Sequence, residues 1–141
     1  MQHAIVGTWL LRAFVVEDAA TGAHHAPFGP APRGVMTFQP DGRMTVVMTP
    51  GARAAPETEA ERALAFQQLI AASGRYRLEP PDRFVIVVDV AWFEPWVGSE
   101  QVRRYRIDGD RMDIISAPTR LPQPGGADAT VVATVSWRRG A

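Results

Sequence analysis

The chain has 141 residues, 15 basic against 15 acidic, and an apolar content of 46%. That suits one domain with a genuine core, is too apolar for disorder, and lacks the basic excess of a nucleic-acid surface. Cysteine and lysine are both absent, which removes disulfides, thiolate chemistry and Schiff bases on a lysine amine.

Every basic residue is arginine, asparagine is missing and alanine is abundant. A GC-rich coding bias accounts for this, so an arginine here carries less functional weight than usual. The longest apolar run, Phe84 to Val88, is too short to span a membrane. No basic, apolar, small-residue leader opens the chain, so a cytoplasmic location is expected rather than export.

In chain order, Gly7 to Val16 reads as a first strand. If Trp9 faces inward, so do Leu11, Ala13 and Val15, with Arg12 toward water. Glu17 to Arg33 is a long connection broken by Gly22, Pro27, Gly29, Pro30 and Pro32, of a kind that is often functional. Gly34 to Gln39 and Arg43 to Met48 form a hairpin around Pro40-Asp41-Gly42.

Glu57 to Ala72 is the one convincing helix. Thr58 and Glu61 fit a capping box, Leu64, Phe66, Leu69 and Ile70 contribute an apolar face, and Gly74 is placed to end it. Such a stripe is expected to lie on a sheet or a barrel mouth. A fourth strand follows at Arg75 to Glu79, a fifth at Arg83 to Trp92 and a sixth at Glu100 to Ile107. A tight Asp108-Gly109-Asp110 turn leads to the seventh, Arg111 to Ser116. A Pro/Gly-rich loop precedes the eighth, Val131 to Arg138.

Eight strands joined mostly as hairpins predict an all-β chain: an up-and-down antiparallel barrel with one inserted helix at about residues 57–72, forming a single domain over 1–141. Closure removes exposed edges, and eight strands enclose room for one small ligand.

Particular blocks carry a resemblance. Gly7-Thr8-Trp9 opening the first strand and Trp137-Arg138 closing the last resemble the lipocalin closure, in which a Gly-x-Trp tryptophan packs across the closed end under an arginine of the final strand. Gly34, Pro40-Asp41-Gly42-Arg43-Met44, Gly74-Arg75-Tyr76 and Trp96-Val97-Gly98 with Gln101 and Arg103 are similar to small stand-alone lipocalin-like domain proteins of bacteria and fungi. The resemblance spans essentially the whole chain. It implies a central pocket; related barrels bind hydrophobic small molecules, and some in biosynthetic pathways act as cyclases or isomerases. Many relatives are expected to have histidine in the fifth strand where this chain has Ile86 and Val87.

Gln101, Arg103 and Tyr105 alternate on the sixth strand and therefore share one face. If that face is inward, Arg103 is a cation inside the barrel and must be paired or solvated; Asp89 on the fifth strand is the expected partner. Arg103 would then clamp an anionic or carbonyl group, Tyr105 would donate a hydrogen bond or proton, and Asp89 would act as a general base. The competing reading is structural: an outward face, or a buried bridge. For Asp89 it is an exposed position on an outward strand face beside Arg83; both faces of the fifth strand are apolar, so alternation leaves its parity open.

Trp92, Phe93 and Trp96 form either an aromatic rim for a flat ligand or packing at a barrel end. Trp9, Phe38, Met48 and Tyr76 complete the expected lining, with methionine suited to a pocket of loose specificity or to ordinary filling. His24 and His25 sit in the first long loop without a third ligand at motif spacing, so no metal site is expected. No nucleophile elbow, phosphate loop or dinucleotide fingerprint is present, so no cofactor is expected. The reading is a barrel binding a small, apolar, ring-bearing molecule, with a cofactor-independent cyclase, isomerase or lyase as the alternative. No nucleic-acid or membrane partner is expected; the apolar fifth strand fits either a homodimer interface or a helix-covered barrel wall.

Overall fold

The computed structural model describes residues 3–122 and 128–140. Its strands are β1 (Gly7–Asp18), β2 (His24–His25), β3 (Arg33–Phe38), β4 (Arg43–Thr49), β5 (Ile70–Glu79), β6 (Arg83–Ala91), β7 (Glu100–Asp108), β8 (Arg111–Ile115), β9 (Thr119–Pro122) and β10 (Asp128–Arg139). One helix, α1 (Glu59–Gln67), lies between β4 and β5, and a 3₁₀ turn, Glu94–Trp96, between β6 and β7. All ten strands belong to one antiparallel sheet, closed by pairing of β1 with β10. The closed wall is an eight-stranded up-and-down barrel of β1, β3 to β8 and β10. The strands β2 and β9 extend β1 and β10.

The two ends differ because the connections do. Short turns join β3–β4, β5–β6 and β7–β8 at one end, where the turn from His3 to Val6 also lies. The long connections, carrying β2, α1, the 3₁₀ turn and β9, gather at the other end. That end is the mouth.

Alternation along each strand sends one set of side chains inward. Trp9, Leu11, Met36, Phe38, Met44, Val46, Met48, Phe84, Ile86, Val88, Met112, Ile114 and Trp137 are buried in a single cluster. Near the short turns the filling is complete: Trp9, Trp137, Phe38, Phe84, Met36 and Met112 are each at most 1% exposed.

Three expectations are corrected. The first concerns β1, whose pairing with β10 shifts between Leu11 and Ala13. This bulge absorbs Arg12 as the extra residue and reverses the alternation. Beyond it Phe14 packs against the core and Val16 is buried, rather than Ala13 and Val15.

The second concerns the helix. It ends at Gln67, and Ile70 to Gly74 belong to β5. Local propensity in Ala71-Ala72 favours helix, and the ladder Met48↔Ile70, Val46↔Ala72, Met44↔Gly74 overrides it. Gly74 does not cap a helix. It sits beside a β5–β6 irregularity, and a Cβ there would collide with the Val87 carbonyl. The capping box of Thr58 and Glu61 is present. However, α1 buries none of its residues, and Leu64 and Phe66 remain about half exposed.

The third concerns irregular stretches. His24 and His25 pair with Glu17 and Val16 as β2, and Thr119–Pro122 pairs with β10.

Candidate functional site

Four aromatics stack at the closed end. Phe38 meets Tyr76 edge-on at 5.0 Å and Phe84 at 5.3 Å, and Phe84 lies 5.9 Å from Tyr105. Tyr76 spends its hydroxyl on the Gln39 carbonyl, at 2.8 Å, in the β3–β4 turn. Burial raises the Tyr76 and Tyr105 phenols above their ordinary values, with Asp41 and Asp82, respectively, adding to the effect. Trp9 is fully buried, donates from Nε1 to the Ile5 carbonyl at 2.9 Å, and lies under the Arg139 guanidinium at 4.2 Å. The arginine over this tryptophan is Arg139, not Arg138, because the register sets Trp9 opposite Arg139. Trp9, Phe38 and Tyr76 therefore form the barrel floor.

Along β7, Gln101, Arg103 and Tyr105 face inward, opposite Ile86, Phe84 and Ile114, with Gln101 toward the mouth and Tyr105 toward the floor. Arg103 donates from one terminal nitrogen to Gln101 Oε1 at 3.1 Å, and from the other to the Val102 carbonyl at 2.9 Å. Gln101 passes the chain on: its Nε2 donates to Ser99 Oγ at 3.1 Å, and Ser99 donates to the Trp96 carbonyl at 2.6 Å. A continuous polar string thus runs from the inward arginine to the aromatic corner at the mouth. Trp92 packs edge-on against Trp96 at 4.8 Å, lies tilted against Phe93 at 5.8 Å, and donates to the Phe66 carbonyl of α1 at 3.1 Å. Met48 is buried on β4, whose end faces the same mouth. Ser99 was not foreseen, although it extends the Ser99, Gln101, Arg103 alternation by one step.

The electrostatics of Arg103 are unusual. Burial lowers its guanidinium from the ordinary arginine value, yet among the described residues no carboxylate lies within ion-pair distance. Its partners are neutral carbonyl oxygens. A partly buried cation without a counter-charge carries a desolvation cost, and an anionic or strongly polar ligand atom relieves it.

Asp89 is elsewhere. Phe84, Ile86 and Val88 face inward, so Asp89 faces outward, where Arg43 grips it with two bonds of 3.0 and 2.8 Å. The hydrogen bond from Arg43 outweighs desolvation and holds its carboxyl below the ordinary value. It is neither the partner of Arg103 nor a base inside the barrel. Parity was hidden because the outward Val85 and Val87 are apolar too; Val85 is 1% exposed and Val87 39%. Tyr105 shares the inner face with Arg103, but its ring packs on Phe84 and its hydroxyl senses Asp82 in the β5–β6 turn.

Among the described residues no cluster of three or more His, Asp or Glu side chains is arranged to hold a metal. No helix there is long and apolar enough to cross a membrane. At the mouth, Phe28 of the β2–β3 loop is buried and meets Phe14 edge-on at 5.2 Å. The family model that matches the sequence describes a lipocalin-like domain and covers residues 6–140. No curated protein matches the chain at a significant level.

Proposed function

The chain belongs to the lipocalin-like domain family, and from that premise we propose that it binds a small, largely apolar, ring-bearing molecule carrying one anionic or carbonyl group. Barrels of this architecture suit small hydrophobic ligands. The observation that carries the reading is Arg103: a half-buried guanidinium on the inner face with, among the described residues, only Gln101 Oε1 and the Val102 carbonyl as partners. The ligand's polar group docks on Arg103, and its ring meets Trp96, Met48 and the neighbouring aliphatic wall.

Native mass spectrometry of freshly purified protein, compared with the same sample after denaturation, tests this. A small apolar acid or ketone that leaves on denaturation supports the reading. A co-purifying molecule without such a group, bound equally by an Arg103→Met variant, contradicts it.

The cyclase, isomerase or lyase alternative uses the same space but requires a group that moves a proton. Asp89 on the outer wall does not supply one, and a phenol raised by burial, as at Tyr105, is a weaker acid. Binding is therefore the reading favoured here. It includes a cytoplasmic location, supported by the cysteine-free composition. It also includes a homodimer, supported by an outer rung of half-exposed Leu10, Val35 and Val47 on adjacent strands. Light scattering that finds only monomer would remove the dimer.

A further inference from the structure

We infer that the outer wall of the barrel carries a second binding site, for a small hydroxylated molecule bearing an oxyanion. A concavity of about 410 Å³ lies there, away from Arg103, with Arg12, Arg111, Arg138, Asp108, Asp110 and Ser136 in its lining. Its size falls within the range of small-molecule pockets.

The backbone forces the cations together. Arg12 is the extra residue of the β1 bulge, and a bulge re-aims the side chain it carries. Arg138 on β10 stands directly opposite Arg111 on β8. Like charges facing one another across strands are unfavourable unless something negative lies between them.

Two of the lining residues, Ser136 and Arg111, are held from beside the concavity by Asp113. Asp113, 5% exposed, accepts from Ser136 Oγ at 2.7 Å, from Arg106 at 3.2 Å and from Arg111 Nε at 3.2 Å. This last bond orients Arg111 while leaving both of its terminal nitrogens without a partner among the described residues. Arg12 and Arg138 likewise make no side-chain hydrogen bond or ion pair there. Three arginines therefore line one concavity with unspent donors, groups that bind phosphate and carboxylate.

The hydroxyl requirement comes from Asp108 and Asp110. Both line the concavity, and neither carboxylate accepts a hydrogen bond or joins an ion pair among the described residues. Asp108 even stands directly opposite Arg111 without pairing with it. A ligand offering an oxyanion at one end and hydroxyl donors at the other satisfies both sets.

The test uses the whole chain labelled with ¹⁵N, following arginine Nε–H resonances during titration with glycerol phosphate, glycerate, inorganic phosphate and glycerol. Sodium chloride at matched ionic strength is the control. The expected result is saturable movement of Arg12, Arg111 and Arg138 with glycerol phosphate or glycerate, and none with glycerol or chloride. Arg12→Gln and Arg138→Gln, both at exposed positions, should each weaken binding about tenfold, equivalent to about 1.4 kcal/mol. No saturable movement with either organic anion, the same movement with glycerol or chloride, or unchanged affinity in both variants would overturn the site. Inorganic phosphate binding as tightly as glycerol phosphate would overturn the hydroxyl requirement.

Discussion

The guanidinium of Arg139 lies 4.2 Å above the ring of Trp9, joining the last strand of the barrel to the first across its floor. The same arginine donates to the carbonyls of Val6 and Ala4, at 3.1 and 2.6 Å. It therefore fixes the N-terminal turn, the first strand and the last strand at one point. Arg139→Ala should cost about 1–3 kcal/mol of stability, combining a cation–π contact with charge-assisted bonds. Urea unfolding measures it; a midpoint unchanged from the parent would show that the clasp is idle.

An inward cation held for a ligand should weaken the empty protein. Arg103→Met keeps the apolar stem and removes the unpaired charge, so it should leave the ligand-free barrel as stable or raise its stability by about 1 kcal/mol. Thermal unfolding of ligand-free samples decides it. A clear loss of stability would mean that the string through Gln101 and Ser99 serves the fold rather than a ligand.

Asp89→Asn should leave ligand affinity within about twofold. Asp89 is on the opposite side of the wall from Arg103, and an exposed pair such as Arg43 with Asp89 contributes little. A binding isotherm for the variant checks this; a tenfold loss would place Asp89 in the site after all.

Acid should act through Asp113. Burial alone would raise its carboxyl, but hydrogen bonds from Ser136, Arg106 and Arg111 outweigh that and hold it below the ordinary value of 3.8. A carboxyl lowered in the folded state contributes stability above its unfolded value, and that contribution is lost as the pH falls through the folded value. The parent should therefore lose stability more steeply below about pH 4 than Asp113→Asn, the window following from that lowered value. Parallel curves from denaturant unfolding at several pH values would contradict the assignment.

Gly74→Ala should destabilise by about 1–3 kcal/mol, the usual cost of overpacking. The added methyl meets the Val87 carbonyl, which is backbone and cannot step aside. A variant with unaltered stability would show that the β5–β6 irregularity absorbs the methyl.

Much of this barrel is legible in the sequence, because period-two alternation and turn chemistry are local. Pro40-Asp41-Gly42 and Asp108-Gly109-Asp110 mark their hairpins without reference to the rest of the chain. The alternation of Gln101, Arg103 and Tyr105 likewise shows a polar face, and the ladder confirms that it is inward. What escaped was set by pairing at a distance. The bulge at Arg12 depends on β10, the strand state of Ala71 and Ala72 depends on β4, and the parity of Asp89 was hidden by apolar residues on both faces of β6. Arg139 took the place expected for Arg138 for the same reason: register, not motif, decides which arginine covers Trp9.

The central claim is that Arg103 anchors the polar group of an apolar ligand. The most direct measurement is a pair of fluorescence titrations, with anilinonaphthalene sulfonate, which is anionic, and phenylnaphthylamine, its neutral counterpart. Both are run on the parent and on Arg103→Met. The account predicts that the parent binds both dyes, and that the variant loses at least about tenfold in affinity for the anionic dye, about 1.4 kcal/mol, while keeping the neutral one. Equal affinities of parent and variant for the anionic dye, or a parent that binds neither, would contradict it.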